Sequence, residues 1–167
     1  MMVRRVGACL ALLSSILLVA ALPSTASAQD GRAYRHGEFN VRLDPWEVPD
    51  GGDRGGRGFA RLVFDEDRER ACYFIGWRGL EGDVTAAHLH FAPRDETGPH
   101  AVDFFNGERF DGDRDGTYGC VRVRDDRDPR GMTAREKIRD IIDNPEDFYV
   151  NVHTTSYPDG ALRGQLD

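Results

Sequence analysis

The sequence has few cysteines, no cluster of basic residues and no long apolar run beyond residue 22. Among its 167 residues are 3 cysteines, and 29 acidic side chains outnumber 22 lysines and arginines. An acidic chain without a basic cluster is not expected to bind nucleic acid or an anionic lipid surface. No serine lies in a nucleophile elbow, so the sequence gives no support for serine-hydrolase chemistry.

The first 28 residues predict a secretory signal peptide. Arg4 and Arg5 precede an apolar stretch at 7–22, and Ala26-Ser27-Ala28 forms a small-residue cleavage site. This order is typical of an export leader, and the apolar stretch is too short for a permanent membrane span. We therefore expect residues 1–28 to be removed, the mature chain to begin at Gln29 outside the membrane, and the protein to be periplasmic or extracellular.

Removal of that segment leaves two cysteines, Cys72 and Cys120, in an oxidising compartment. Each lies in a strand-like stretch, so a disulfide between them would join two strands that are far apart in sequence. It would close a loop of about 48 residues and add roughly 3 to 4 kcal/mol of stability on the chain-entropy estimate. The alternative is that the two thiols are soft metal ligands, but export favours their oxidation.

Short alternating stretches separated by turn residues predict an all-β domain. A last strand at 161–166 is expected to pair with the strand at 149–153 through the turn Pro158-Asp159-Gly160. About seven such strands indicate a Greek-key β-sandwich over residues 40–167, after a lead-in at 29–39. The other predicted strands are 38–43, 58–64, 71–77, 84–91 and 117–123.

One segment departs from the strand pattern. Thr133 to Glu136 is a capping box, isoleucines follow at helical spacing, and Asn144-Pro145 ends the run. We expect one short helix at 134–143 that lies across an end of the sandwich and covers an open edge. Residues 111–128 are rich in Asp, Arg and Gly and are expected to form exposed loops beside the strand of Cys120.

The main functional signal is the pair His88 and His90 in a predicted strand. Alternate strand residues project from one face, and His153 on another strand would complete a three-nitrogen set that suits copper or zinc. Imidazoles buried without partners cost stability, so the open alternatives are a metal site and a hydrogen-bonded structural cluster. Copper is favoured over zinc because nitrogen-only ligand sets in an oxidising compartment suit it.

The chain contains the motifs Gly58-Phe59-Ala60, Trp77-Arg78-Gly79-Leu80, Ala86-Ala87-His88-Leu89-His90, Gly98-Pro99 and the closing block 149–166. With these motifs, the sequence from Asn40 to the C-terminus resembles a CHRD (chordin-type) domain. The resemblance implies an extracellular β-sandwich module with no activity settled for the family. The sequence departs from the usual pattern at Phe91-Ala92-Pro93-Arg94, where a small turn is common, and at His100, where an aliphatic residue is usual.

A second resemblance concerns the order of the functional residues. His-x-His, Gly-Pro-His, a strand-borne His and a C-terminal Arg are similar in order to the ligands and anion-guiding arginine of copper/zinc superoxide dismutases, which are also Greek-key sandwiches. The resemblance implies copper ligands at His88 and His90, a bridging or fourth ligand at His100, a last ligand at His153 and an anion guide at Arg163. The spacings after His153 are much shorter than in those enzymes, and fold likeness does not carry activity.

The sequence thus leaves three functions open on an immunoglobulin-like or superoxide-dismutase-like sandwich. They are a module that binds a transition metal, a copper-dependent superoxide dismutase-like oxidoreductase, and a metal-free adhesion or scaffold module. A metal ion is the only partner that the sequence indicates. We expect Arg163 at an exposed strand start, and we expect core packing rather than a binding surface for Trp77. The other aromatic residues considered for a binding surface are Trp46, Phe104 and Phe105.

Overall fold

The computed structural model describes residues 35–125 and 130–167, which form an all-β sandwich with one short α-helix. The predicted signal peptide lies outside the described residues and stays a prediction. The strands are β1 (His36–Leu43), β2 (Arg57–Asp65), β3 (Arg70–Arg78), β4 (Val84–Phe91), β5 (His100–Phe110), β6 (Arg114–Arg122), β7 (Phe148–Thr154) and β8 (Leu162–Gln165). The helices are α1 (Ala134–Asp143) and the short 3-10 turns Pro45–Glu47 and Pro145–Asp147.

The strands form two antiparallel sheets of four, in the orders β1-β2-β3-β6 and β5-β4-β7-β8. β6 returns to lie beside β3 after the β4–β5 pair has crossed to the other sheet, which is a Greek-key connection. Cys72 on β3 lies directly opposite Cys120 on β6, and the two form a disulfide. The sandwich and the disulfide are therefore confirmed, and the paired sulfurs are not metal ligands.

Alternation along the strands builds the core between the sheets. Leu62 and Phe64 on β2 are fully buried, and so is Leu89 on β4. β4 differs from a half-exposed strand because both of its faces are buried, with histidines on the face opposite Leu89. A buried polar face on a sandwich strand indicates that other parts of the chain cover it.

Strand β5 was not predicted, and β6 begins at Arg114 inside the region expected to be a loop. The β4–β5 pairing contains register shifts at three places, so apolar residues do not alternate along β5. The start of β6 is made of Arg, Asp and Gly, and the last two are depleted in strands. The pattern that identifies the other strands is missing from these two segments.

Helix α1 has the predicted bounds and the predicted capping box at Thr133. Its buried face carries Ile138 and Ile141, and Lys137, the single lysine of the sequence, donates to the carbonyl of Ala101 at 3.2 Å. Arg139 pairs with Glu66 in the β2–β3 turn. The helix is thus attached to the sheet beside His100. None of the helices in the described ranges is long and apolar enough to cross a membrane.

Candidate metal centre

Three neighbouring strands bring four of the five histidines to one face of the second sheet. His90 on β4 lies opposite His100 on β5 and opposite Tyr149 on β7. His88 is two residues earlier on β4, and His153 lies on β7 opposite Ala86. The fifth histidine, at position 36, is exposed on the first sheet.

The four rings form one cluster. The ring centroid of His88 lies 4.0 Å from that of His100 and 4.9 Å from that of His153, while His90 lies 4.5 Å from His100. One ring nitrogen from each of His88, His90 and His100 lies within 4.8 Å of the other two. The convergence predicted for residues 88, 90 and 153 is present, and the tightest trio contains His100 in place of His153.

Hydrogen bonds at Nδ1 define the tautomers. A carbonyl only accepts, so His90 donates Nδ1–H to the carbonyl of Gly98 at 2.9 Å, and His153 donates Nδ1–H to that of Pro158 at 2.9 Å. The bare Nε2 of His153 then accepts from the Nδ1–H of His88 at 3.2 Å. His100 donates Nδ1–H to the carboxylate of Asp103 at 2.8 Å. In a histidine ring that carries its single proton on Nδ1, Nε2 keeps a free lone pair.

Two of these lone pairs are buried without partners. His88 and His90 are 5% and 7% exposed, and among the described residues neither Nε2 finds a hydrogen-bond partner. Burial lowers the pKa of His88 to about 3 and that of His90 to about 4, and the positive charge of the neighbouring histidine rings acts in the same direction. Both rings are therefore neutral at pH 7, which is the form that binds a metal ion.

The loop at 92–99 covers the cluster and carries Gly98. A Cβ at Gly98 would lie 1.8 Å from the carbonyl oxygen of Phe91, so only glycine allows the loop to pass this close to the end of β4. Arg163 donates to the carbonyls of Glu96 at 2.6 Å and Pro93 at 2.8 Å. The loop is thus held by donors from β8.

Arg163 is 1% exposed, so the expected exposed position is wrong. The loop covers it because its guanidinium satisfies the loop carbonyls, and its Cζ lies 3.5 Å from the ring centroid of Tyr149. Tyr149 in turn stacks on His90, with centroids 4.8 Å apart and an interplanar angle of 10°. Arg163 therefore supports the cluster through Tyr149 and through the loop.

Sequence reasoning did not identify Tyr149, Asp103, Gly98 or Pro158 as parts of this site. Tyr149 was within reach, because it is four residues before His153 and so shares its strand face. The pairing of Asp103 with His100 was not, because β5 is bulged and its faces cannot be assigned by alternation.

A pocket of about 580 Å³ opens beside the cluster. His90, His100 and His153 line it together with Asn151 and Tyr157. The side chain of His100 is only half-buried. An ion or a small ligand therefore has an approach on the side of His100.

The fold and these residues can be compared with known proteins. A family model for the CHRD domain matches residues 39–166, which include all four clustered histidines, both paired cysteines and Arg163. The chain belongs to the CHRD domain family. No match was found among the curated proteins or among the solved structures.

The four aromatic residues considered for a binding surface lie in different environments in this CHRD domain. Trp77, Phe104 and Phe105 are buried in the core, as expected for Trp77, while Trp46 is exposed. They do not form a shared binding surface, because three of the four face the interior.

Proposed function

We propose that this CHRD domain binds one transition-metal ion through Nε2 of His88, His90 and His100, and that copper is favoured over zinc. The observation that carries the proposal is the pair of buried Nε2 atoms without a hydrogen-bond partner. A metal ion is the partner that two converging lone pairs lack.

Unpaired buried acceptors distinguish a metal site from a structural histidine cluster. A buried acceptor without a partner costs about 1 to 3 kcal/mol. A cluster selected for stability would pair its buried nitrogens with donors, as nearly all buried polar groups are. Here the Nδ1 atoms of His88, His90 and His100 are all paired and the Nε2 atoms of the first two are not. This division is typical of metal-binding histidines, whose other ring nitrogen is held by a carbonyl or carboxylate.

His153 has a different role in this proposal. Its Nε2 accepts from His88, so it orients the ring of a ligand and is not itself the third ligand. Copper is preferred because the set contains only nitrogen and because copper binds most tightly in the divalent series. Bound copper would supply Lewis acidity and one-electron redox chemistry.

We favour metal binding without catalysis over the superoxide dismutase-like alternative. An anion guide must be reached by the anion, and the guanidinium of Arg163 is buried and donates to two loop carbonyls. The metal-free module is placed last because it offers no partner for the buried Nε2 atoms of His88 and His90.

Titration of untagged protein with Cu²⁺ and with Zn²⁺, followed by calorimetry and elemental analysis, tests the proposal. We expect one metal ion to bind per chain, with higher affinity for Cu²⁺ than for Zn²⁺. His88→Ala and His100→Ala should each lose more affinity than the roughly 10–100-fold that changing an orienting residue costs. His36→Ala is the matched control, since it removes an exposed histidine outside the cluster. Binding that is equal in His88→Ala and in the parent protein would contradict the proposal.

We also propose that the domain acts outside the cytoplasm. The Cys72–Cys120 disulfide supports this, because such bonds persist in oxidising compartments. Mass spectrometry of the exported protein should give an N-terminus at Gln29. Retention of the full-length chain inside the cell would contradict export.

A further inference from the structure

An exposed aromatic face lies on the first sheet, which does not carry the histidine cluster. Phe59 on β2 lies opposite Gly76 on β3, and Phe74 on β3 lies opposite Tyr118 on β6. Phe59, Phe74 and Tyr118 are 53%, 41% and 80% exposed. Large aromatic side chains grouped on the surface of a soluble domain mark an interaction site more often than scattered ones do.

Glycines leave a groove beside these rings. Phe59 and Phe74 stack with centroids 5.3 Å apart. A Cβ at Gly76 would lie 3.0 Å from the ring of Phe59 and 3.3 Å from that of Phe74, and Gly116 lies opposite Gly76 on β6. The two phenylalanine rings therefore fill the space over Gly76, and a groove of about 660 Å³ with an aromatic wall lies beside them.

The groove also carries positive charge. Arg57 and Arg78 line it, and within residues 35–125 and 130–167 neither pairs with a carboxylate; Arg57 donates to the backbone carbonyl of Gly56. One carboxylate, that of Asp115, lies in the lining and accepts from the N–H of Gly116 at 2.8 Å. Two guanidiniums against one carboxylate give a local cationic excess on a chain whose net charge is -7.

We propose that this groove binds an acidic carbohydrate, a chain of sugar rings that carry carboxylates. The C–H bonds on a sugar face carry partial positive charge and pack against the negative face of an aromatic ring such as Phe74. Sugar carboxylates pair with guanidiniums in bidentate geometry.

Two other occupants fit less well. A two-fold contact with a second copy would place the Arg57 and Arg78 side chains of both copies near one another. An acidic peptide would pair with the guanidiniums but has no flat apolar face to cover the stacked rings. The charge complementarity and the aromatic wall together favour the sugar acid.

Calorimetric titration of the protein with an oligogalacturonate tests the proposal. We expect Phe74→Ala and Arg78→Ala each to weaken binding by about ten-fold, while Phe74→Tyr keeps the ring and the affinity. Trp46→Ala and Arg122→Ala are matched controls, because they remove an exposed ring and an exposed arginine outside the groove. His88→Ala should also bind normally, which separates this site from the metal centre.

Several outcomes would overturn the proposal. One is that oligogalacturonate does not bind. Another is that polyglutamate of equal charge binds as tightly and that Phe74→Ala has no effect, since attraction would then be by charge alone. A third is a dimer in sedimentation that Phe74→Ala abolishes, which would assign the groove to a second copy of the chain.

Discussion

At the scale of single residues, the ring of each candidate ligand is oriented by a group outside the proposed ligand set. His90 is held by the carbonyl of Gly98, His100 by Asp103 and His88 by His153. Each of these bonds uses Nδ1 and so leaves Nε2 as the ring nitrogen available to an ion. The low pKa of His88 and of His90, which follows from burial, keeps protons from competing with a metal ion near neutral pH.

His153→Ala should separate an orienting residue from a ligand. The variant removes the acceptor of the His88 Nδ1–H, so we expect Cu²⁺ affinity to fall by about 10–100-fold while X-ray absorption still counts three imidazoles per copper. His100→Ala should lower that count by one. His153→Gln, which offers an amide oxygen as acceptor, should recover part of the affinity. A count reduced in His153→Ala would instead make residue 153 a ligand.

At the scale of elements, the loop at 92–99 and strand β8 act as one unit beside the histidine cluster. Gln165 donates to the carbonyl of Ala92 at 2.9 Å, and Arg163 donates to two further loop carbonyls. The Gly98 N–H donates to the Tyr149 hydroxyl at 3.3 Å. Buried donors of this kind fix the loop, and the loop fixes His90 and the start of β5.

Arg163→Met should loosen this loop while keeping the length of the side chain. Hydrogen bonds from a charged donor contribute about 1.5 to 3 kcal/mol each, so their loss should speed hydrogen exchange at Gly98 and lower Cu²⁺ affinity by about 10-fold. Arg94→Met is the matched control, because Arg94 lies on the same loop but forms only half-exposed ion pairs with Glu47 and Asp167. Exchange and affinity unchanged in Arg163→Met would show that it does not support the site.

The elements that could be predicted from sequence are those in which apolar residues recur at regular spacing without interruption. β4 and α1 have the expected bounds, since one alternates and the other carries a capping box and spaced isoleucines. β5 was missed because its bulges break the alternation. Because of the same bulges, strand alternation could not assign His100 to the site, and only a family resemblance indicated it. The alternation of β4 was enough to place His88 and His90 on one face.

At the scale of the whole molecule, the sandwich has two chemically distinct sheets around one core. The second sheet has a polar outer face that loops cover, and the first has aromatic and cationic residues open to solvent. Sequence alternation predicts which residues leave the core. It does not predict whether a loop then covers them, and for that reason the burial of Arg163 was not foreseen. The Cys72–Cys120 disulfide, which lies on the outer face of the first sheet, was foreseen from the even number of cysteines left after export.

The buried histidines should make the stability of the metal-free protein depend on pH below neutrality. The pKa of His88 is lowered to about 3 and that of His90 to about 4, so below pH 6.5 the unfolded chain binds protons that the folded chain does not. Stability is thus fully present above pH 6.5 and is lost as the pH falls from there toward 4. Each ring contributes a slope of about 1.4 kcal/mol per pH unit.

Urea unfolding at pH 7.5 and pH 5.5 measures this effect. For the two rings together we expect a loss of roughly 3 kcal/mol, a large share of the roughly 5 to 15 kcal/mol of a typical domain. The pKa of Glu136 is lowered from its ordinary 4.5 by hydrogen bonds from Thr133, so this carboxylate changes stability only at lower pH. The change between pH 7.5 and pH 5.5 is therefore assigned to the histidines. The double variant His88→Gln/His90→Gln should weaken the dependence and leave a remainder from His153, whose pKa burial also lowers. An equal slope in that variant would show that the loss arises elsewhere.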